Sequence, residues 1–485
     1  MLTLKQTIHE QWTAFCKADF TKKCNTLSFV CLCLFLFDCC IFGGGHYLHV
    51  GPITPRMFLG LSALLLSLPE LCKNIKKYIK NPALLLTVAF VIYLLISAVR
   101  GYLAQNNMSV LISDLKGFFW LFLVPVFIAT VQSKRKLYFL LDVIVAGATL
   151  QALYVLLVNI ICVLVPDGLM FFYDWMLYDS QMGFVNIISS TIFRIFMKSC
   201  PYMAFACAVA VFRQIKSKKI NWYYMTAQVL CMNALFFSFT RSVYGCLLIV
   251  LVAVVVMTLL FFRKHIKRIL TVLLLSVVMM IGFIGLQELT LGGNYLNYGI
   301  ARTFNLKPRT SFTVNLHNLI FYGDISFIKP GPNMPDDQEL KDQQAALDQT
   351  EGSDALRALT AAQLKELFAK NPLIGNGLGA VAPARNGPDE YFYLDVLARM
   401  GIVGLLLYVA PFAYLCLWML RKRSQLSDMP CAWAALCGLI GFWAITWFNP
   451  WMNAVLGISA YALCLSLPTI MKNTTVINHT TEDAT

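Results

Sequence analysis

NPLIGNGLGAVAPARNGPDEYFYLDVLARMGIVG, residues 371–404, closes the longest polar stretch of this chain and opens the apolar segment that follows it. The polar stretch covers residues 289–391. The chain on both sides of it divides into apolar pieces long enough to cross a membrane. Because apolar spans offer few reactive side chains, we expect the chemistry of the protein in this one large polar loop.

Composition places the chain among membrane proteins. Its 485 residues are 58% hydrophobic and 13% charged, whereas a soluble globular domain is about 25% charged. The formal net charge of +14 would suggest a nucleic-acid partner in a soluble protein. Here the basic residues collect in short loops, as is typical of the cytoplasmic loops of membrane proteins. We therefore predict an all-α polytopic membrane protein with no nucleic-acid partner.

The sixteen cysteines do not indicate a metal or redox site. Most lie inside apolar runs such as SFVCLCLFLFDCC, residues 28–40, where cysteine behaves as a small hydrophobic residue. They show no paired arrangement with the spacing of a zinc motif. We expect neither a metal ion nor a cofactor.

Apolar segments recur along the chain and predict about twelve transmembrane helices, since each span needs about twenty mostly apolar residues. They lie near residues 27–41, 57–71, 83–99, 116–131, 138–165, 198–213, 221–239, 243–262, 269–288, 400–420, 431–448 and 454–471. In this division a tail, 1–26, precedes about nine spans in residues 27–288. About three spans in residues 392–471 follow the polar loop, and a second tail covers residues 472–485.

Alternate short loops are rich in lysine and arginine and indicate the orientation of the spans. The basic loops are residues 73–80, 134–136, 213–219, 263–268 and 421–423. Because basic short loops are cytoplasmic, we predict that both tails are cytoplasmic. The large loop then faces outward, which is the periplasm if the cell is Gram-negative. In that case the protein is expected to cross a bacterial inner membrane many times.

The large loop has three recognisable parts. Residues 328–337, IKPGPNMPDD, are too rich in proline and glycine for a helix. Residues 354–370 are predicted to form an amphipathic helix whose apolar stripe lies on the membrane domain or at the membrane surface. The stripe consists of Leu356, Leu359, Leu364, Leu367 and Phe368. Gly375, Gly377 and Gly379 then allow a tight turn or the close approach of another chain or a ligand.

Three stretches, in order, resemble motifs of the O-antigen ligase and polymerase superfamily. IFRIFMKSCPYMAFACAVAV, from Ile192, is similar to an arginine motif before a span. FSFTRSVYGCLLIVLVAVV, from Phe237, is similar to a Ser-Arg motif at the outer start of the next span. PLIGNGLG, from Pro372, with the later GIVG, resembles the family pattern Pro-x-x-Gly-x-Gly-x-Gly followed by Gly-x-x-Gly. Through the order of its spans, the resemblance extends over most of the chain.

The resemblance implies an integral-membrane glycosyltransferase with a GT-C-like fold, acting on undecaprenyl-diphosphate-linked glycan at the outer side of the membrane. Ligases of the family transfer a finished O-antigen to lipid A-core, whereas polymerases join repeat units into a longer chain. Besides this glycan and the lipid bilayer, a chain-length regulator and a flippase are partners that the resemblance implies.

A diphosphate at a membrane surface needs cations, and the planar guanidinium group suits phosphate oxygens. Arg194, Arg241 and Arg357 fall on the outer side of the predicted topology. We predict that they bind the diphosphate, together with Lys198. The alternatives are that Arg241 only extends to the membrane surface and that Arg357 belongs to a solvated helix face. Because arginines can stabilise such a leaving group, no metal ion is expected.

The remaining site predictions concern the end of the loop. Gly375, Gly377, Gly379 and Tyr391 are assigned to a substrate loop. Ligases of the family carry a histidine eleven residues before the first glycine of Gly-x-x-Gly. Counting back from Gly401, this chain has Glu390 there, after Asp389. The difference favours a polymerase, with Glu390 or Asp389 as the general base for the acceptor hydroxyl; the alternative is a solvated, charged turn.

Two other classes of protein fit a chain with about this many spans. A transporter or flippase of lipid-linked sugar would also carry cationic sites, but such folds usually show internal repeats and short loops. A structural subunit without an active site is the second alternative, and the arginines on the outer side argue against it. Asp38, inside the first span, is expected to pair with an arginine that the sequence does not identify.

Overall fold

The computed structural model of the protein describes residues 15–44, 54–165, 168–215, 217, 219–304, 306, 320, 337–382 and 391–471. Its α-helices up to the centre of the chain are α1 (Phe20–Phe42), α2 (Pro55–Lys73), α3 (Ile75–Ile79), α4 (Pro82–Leu103), α5 (Met108–Phe119), α6 (Leu123–Thr130), α7 (Lys134–Leu164) and α8 (Gly168–Asp174). The others are α9 (Cys200–Arg213), α10 (Trp222–Phe236), α11 (Arg241–Phe261), α12 (Ile266–Leu291), α13 (Tyr295–Phe304), α14 (Asp337–Lys370), α15 (Phe392–Arg421), α16 (Arg423–Leu426), α17 (Pro430–Ile445) and α18 (Val455–Leu465).

The protein is a multi-pass, mostly helical membrane protein. Within the described ranges, eight helical segments are long and apolar enough to cross a membrane. They are Phe20–Phe42, Pro55–Lys73, Pro82–Leu103, Met108–Thr130, Lys134–Leu164, Arg241–Phe261, Arg263–Leu291 and Phe392–Arg421. The other four predicted spans are also helical, but these helices, α9, α10, α17 and α18, are shorter than the roughly twenty residues that a span requires.

The short helices form the core of the bundle. In α9, nearly every residue is buried, and four alanines lie among them. Helix α9 packs against α17, where a methyl group added to Gly438 would lie 2.2 Å from the Phe205 ring. Small residues of this kind let helix backbones approach closely. The longer surrounding helices expose Leu248, Leu274 and Val278 on their outer sides, as expected for surfaces that face lipid.

A β-hairpin, which the sequence analysis had not predicted, precedes α9. Strands β1 (Gly183–Ile187) and β2 (Phe193–Met197) are antiparallel, with Phe184 opposite Phe196 and Asn186 opposite Arg194. Successive side chains of a strand point to opposite faces. Phe193, Ile195 and Met197 are therefore buried on one face, and the two pairs above share the other. The hairpin thus presents an aromatic and polar face away from the core.

Helix α14 is longer than predicted. It begins at Asp337, the last residue of the stretch expected to be non-helical, and ends at Lys370 as predicted. Residues 328–336 of that stretch lie outside the described residues. Only part of the predicted apolar stripe is buried: Leu364 is fully buried, whereas Leu356 and Leu359 are about half exposed. Helix α14 packs against α15.

The glycine-rich loop after α14 packs into a break in α15. The break occurs at Gly401, whose φ of 68° is not helical. Loop residues supply hydrogen bonds there: the Gly377 N–H donates to the Arg399 carbonyl oxygen, and the Ile402 N–H donates to the Pro372 carbonyl oxygen, each at 2.9 Å. The two glycine motifs noted in the sequence are therefore parts of one packing arrangement.

Basic turns gather at one end of the bundle, where Arg268 Nε donates to the Gln214 carbonyl oxygen at 2.9 Å and Arg213 pairs with Asp142. Helix α11 has 21 residues, which corresponds to about 30 Å at 1.5 Å per residue. Arg241, at the start of α11, therefore lies at the opposite end of the bundle from Arg263, which follows the helix.

The arginine expected beside Asp38 is Arg56, at the start of α2. Arg56 Nε donates to Asp38 Oδ2 at 2.7 Å, and both side chains are buried. Removing a charged side chain from water is costly unless an opposite charge accompanies it. The pair therefore explains how a carboxylate can lie inside an apolar helix.

Candidate functional site

The turn between α10 and α11 holds two arginines through its backbone. Arg194 Nε donates to the Ser238 carbonyl oxygen at 3.2 Å, and Arg194 Nη2 donates to Thr240 Oγ1 at 3.1 Å. Arg302 Nε donates to the carbonyl oxygen of Phe239. Phe239 has a φ of 42°, a left-handed conformation that residues other than glycine rarely adopt. Successive carbonyls of this turn consequently serve two different arginines.

Arg241 joins the same group from the start of α11. Its Nε donates to the Arg302 carbonyl oxygen at 3.0 Å, near the end of α13. Arg302 is buried, whereas Arg241 is exposed. The N-terminus of an α-helix carries a partial positive charge. The first turn of α11 therefore adds to the positive potential of the two guanidinium groups.

Arg357, on α14, lines the same space as the other three arginines. It shares a helix face with Thr360 and Leu364, because residues three and seven positions apart lie on one side of a helix. Both of those residues are buried. Leu364 packs with Ala382 and Ala398, and Tyr391 packs against this group. Arg357 therefore lies on the inward-facing side of α14 and not on its solvated side.

The four arginines line one cavity of about 630 Å³. The described residues that line it are Phe184, Arg194, Phe196, Thr240, Arg241, Ser242, Gly245, Cys246, Ile249, Arg302, Arg357, Ala358, Tyr391, Ala444, Phe448 and Asn449. The structure thus brings together Tyr391 of the predicted substrate loop and three predicted diphosphate-binding residues, Arg194, Arg241 and Arg357. Among the described residues of this lining there is neither an aspartate nor a glutamate.

The pKa of Arg194 reflects first its burial and then the other arginines of the cavity. Burial, together with the neighbouring Arg302 and Arg357, lowers the pKa of Arg194 to about 10. Burial disfavours the charged form of a base, and nearby like charges do the same. Arg194 still carries its charge at neutral pH. A bound anion would relieve the repulsion, so this arrangement is suited to a ligand with more than one negative charge.

The β-hairpin forms an aromatic wall of the cavity. The rings of Phe184 and Phe196 are stacked, with centroids 5.1 Å apart and an angle of 21° between their planes. The Arg194 guanidinium carbon lies 5.1 Å from the centroid of the Phe184 ring. This distance is within the range of a cation–π contact. The wall therefore connects an apolar surface directly to one of the arginines.

Lys198 lies apart from the described lining of the cavity. The pKa of Lys198 is lowered, first by its burial and to a smaller extent by the positive charge of the nearby Arg56. A methyl group added to Gly44 would lie 3.6 Å from Lys198 Cδ, so the side chain lies beside the end of α1. The structure thus separates Lys198 from Arg194, with which the sequence had grouped it.

The three loop glycines are also placed elsewhere. Gly375, Gly377 and Gly379 all have positive φ values, and they approach other parts of this chain. A methyl group on Gly377 would lie 2.5 Å from the Gly101 nitrogen, and one on Gly375 would lie 2.3 Å from the Arg399 carbonyl oxygen. The sequence analysis expected a tight turn or the approach of another chain or a ligand, and for these two glycines the close partner shown here is the backbone of α4 and α15 of the same chain.

The predicted catalytic carboxylates, Glu390 and Asp389, lie outside the described residues. Tyr391, the next residue along the chain, lines the cavity. Within the part of the chain that the structure describes, no group of three or more histidine, cysteine, aspartate or glutamate side chains could hold a metal ion.

Sequence reasoning missed Arg302 and Asn449. Arg302 lies on α13 with Tyr295 and Tyr298, at positions three and four residues apart, and all three are buried. That spacing was a usable signal of a helix with one buried face. Asn449 Nδ2 approaches Ser242 Oγ at 3.5 Å after the end of α17. No local pattern in the sequence marks Asn449.

The fold and the cavity together define a polytopic, helical membrane protein with an arginine-lined cavity at one end of its bundle. Comparison with models of protein families, with curated proteins and with solved structures found no match.

Proposed function

We propose that this chain is a membrane glycosyltransferase that polymerises lipid-diphosphate-linked oligosaccharide repeat units, as its resemblance to the O-antigen ligase and polymerase superfamily implies. The observation that carries the proposal is the convergence of Arg194, Arg241, Arg302 and Arg357 on one cavity. A diphosphate diester carries two negative charges at neutral pH. Several guanidinium groups in a partly buried cavity suit such a ligand better than a neutral one.

The proposed reaction replaces one bond to the anomeric carbon with another. An oxygen of an acceptor sugar hydroxyl bonds to the anomeric carbon of the donor, and the bond from that carbon to the phosphate oxygen breaks. The bonding electrons leave with the diphosphate, whose negative charge the arginines stabilise. The hydroxyl proton passes to a base, for which Glu390 and Asp389 remain the candidates.

The proposed setting is a bacterial inner membrane, crossed about twelve times in a GT-C-like fold, with both tails cytoplasmic. The cavity lies at the end of α11 opposite the basic turn after it, and basic turns are typically cytoplasmic. The arginines would then face the periplasm. A reporter enzyme active only in the periplasm should be active when fused at Asp337 and silent when fused after Arg423. The reverse result would contradict the proposal that the lipid-linked donor binds at the outer side of the membrane.

The activity is tested with purified full-length protein in lipid vesicles that contain one radiolabelled undecaprenyl-diphosphate-linked repeat unit. Polymerase activity predicts products of increasing length together with release of undecaprenyl diphosphate. Transfer of label only to added lipid A-core would instead identify a ligase. Movement of the labelled lipid between leaflets without new glycosidic bonds would identify a flippase and contradict both transferase assignments.

Two variants give this assay its controls. Arg241→Ala should stop chain extension while the protein still inserts into vesicles, because a cation at the start of α11 is lost. Gly282→Ala serves as the matched control, since a methyl group there has no atom within 4 Å in the structure. Equal product lengths for wild-type protein and Arg241→Ala would exclude Arg241 from the reaction.

A further inference from the structure

The aromatic face of the β-hairpin gives the cavity a second kind of binding surface. Phe184 and Phe196 line the cavity as a stacked pair, and Arg194 lies against the Phe184 ring. On the opposite face of the hairpin, Ile195 is buried in the core, which fixes the position of the strand. The two rings, one on each strand, are therefore presented to the cavity by a hairpin whose other face is anchored.

We infer that this hairpin face binds a sugar ring of the donor, immediately beside its diphosphate. The inference rests on the proposed function and names a part of the substrate that the arginines alone do not select. Sugar rings place C–H groups of positive character on the electron-rich faces of aromatic rings. Their hydroxyl groups need polar partners, and Thr240 and Asn449 are other members of the cavity lining.

Distance supports a sugar at this position. The first sugar of a lipid-linked glycan is bonded directly to the terminal phosphate. A group that holds this sugar must therefore adjoin a group that holds the phosphate. Arg194 and Phe184 meet this requirement, because the guanidinium carbon is 5.1 Å from the ring centroid. The same arginine can contact phosphate oxygens and keep the aromatic wall in place.

The lipid chain has a different surface available to it. An almost entirely apolar groove of about 250 Å³ lies between α10, α11, α12 and α13. Phe236, Leu247, Leu251 and Ile300 are among the residues that line it. This groove and the arginine cavity lie on two sides of the first turns of α11, which starts with Arg241. With the lipid chain in this groove, the aromatic and polar face of the hairpin is available to the glycan.

The experiment compares three probes on detergent-solubilised full-length protein by titration calorimetry. The probes are inorganic pyrophosphate, undecaprenyl diphosphate, and undecaprenyl diphosphate carrying one N-acetylhexosamine. Phe196→Leu should weaken binding of the sugar-bearing probe roughly three- to tenfold, the range expected for one aromatic contact. Binding of the other two probes should change less than about twofold, because Arg194 contacts Phe184 rather than Phe196.

Two further variants keep the result interpretable. Phe196→Tyr retains the ring and should restore the affinity for the sugar-bearing probe. Ile187→Ala alters an exposed residue on the other face of the same hairpin and should leave all three affinities unchanged. Unchanged pyrophosphate affinity also reports that the Phe196→Leu cavity is folded.

The other outcomes each overturn the inference. An equal loss for all three probes would assign Phe196 a purely structural role. An equal loss for both lipid probes, with pyrophosphate unaffected, would place the lipid chain on the hairpin. If Phe196→Leu lost affinity for none of the probes, the contact between Phe196 and the sugar would be disproved, whereas the proposed function would stand. Wild-type protein that binds none of the probes would refute the proposed function as well.

Discussion

Arginine serves different purposes in two neighbouring regions of this protein. Around the cavity, Arg194 and Arg302 donate to carbonyls of one turn, and their guanidinium groups line a space large enough for a ligand. At the break in α15, Arg399 donates to Asp114 and forms an ion pair with Asp395, and all three side chains are buried. Both regions contain motifs that the sequence analysis assigned to substrate binding.

The comparison shows that the surroundings of a motif decide its role. Arg399 Nε also donates to the Ala380 carbonyl oxygen at 3.0 Å, and Asp114 Oδ2 accepts from the Gly379 N–H at 3.0 Å. The Asp114 carboxylate and the Arg399 guanidinium group therefore bind the glycine-rich loop to α5 and α15. In the cavity, Arg194 and Arg302 are held in place by neutral backbone carbonyl oxygens of one turn. The first region stabilises the fold, and the second is suited to binding an anion.

The largest expected effect is on the enclosed region. Arg399→Met removes the partner of two buried carboxylates, and breaking such a pair costs about 3–5 kcal/mol. We expect little folded protein, measured as the monodisperse fraction after detergent extraction and size-exclusion chromatography. Arg357→Met is the matched cavity variant and should give a near wild-type yield. Equal yields for both variants would contradict the division into a stabilising and a binding region.

Gly377→Ala tests the difference between the enclosed region and the cavity without changing any charge. Gly377 has a φ of 87°, and an added methyl group would lie 2.5 Å from a backbone nitrogen of α4. A left-handed conformation for a residue other than glycine costs about 1–3 kcal/mol, and this close contact adds to it. The unfolding temperature in detergent should fall, whereas Gly282→Ala should leave it unchanged. If Gly377→Ala lost donor binding while its unfolding temperature stayed unchanged, Gly377 would act in substrate binding, as the sequence analysis predicted.

A smaller effect is expected for single arginines at the cavity. Arg241→Lys keeps the charge but loses the planar donor group, and we expect pyrophosphate affinity to fall roughly tenfold. For Arg241→Ala the fall should approach a hundredfold, as for other charge-assisted hydrogen bonds. Arg100→Met tests the other region, because Arg100 donates to the carbonyls of Ile374 and Gly375. It should lower the unfolding temperature and leave pyrophosphate affinity unchanged.

The positions of most helices could be predicted from the local pattern of hydrophobic residues in the sequence. Helix was found at all twelve predicted positions, because a long apolar run in a membrane protein must satisfy its own backbone hydrogen bonds. The hairpin was missed because β1 and β2 are only five residues each. Such short apolar runs do not distinguish a strand from a buried helix.

The candidate site was predicted in part, for a different reason. Arg194, Arg241 and Arg357 stand out as cations beside apolar runs, which is a local signal. Arg302 was hidden in a short amphipathic helix, and its role depends on a turn more than sixty positions away. The partners of the glycine-rich loop are also separated from it in the sequence: Gly101 and Arg399 meet Gly377 only after folding. Contacts at such separations leave no periodic pattern in a single sequence.

The pH dependence of anion binding offers the last and smallest test of the comparison. The pKa of Arg194 is lowered to about 10 by burial and by Arg302 and Arg357. A dialkyl diphosphate, whose charge is constant above neutral pH, should therefore lose roughly tenfold in affinity as pH rises through about 10. In Arg302→Gln the midpoint should move to higher pH, because a repelling charge is removed. In Arg194→Met the fall should disappear.

The sign of the stability change separates this effect from alkaline unfolding. Above about pH 10, the folded state holds fewer protons on Arg194 than the unfolded state, in which the pKa has its ordinary, higher value. For this group alone, the free energy of unfolding therefore rises with pH over that interval while anion affinity falls. A loss of affinity that follows a falling unfolding temperature would identify alkaline unfolding as its cause. A midpoint that is unchanged in Arg302→Gln would show that the arginines of the cavity do not act on one another.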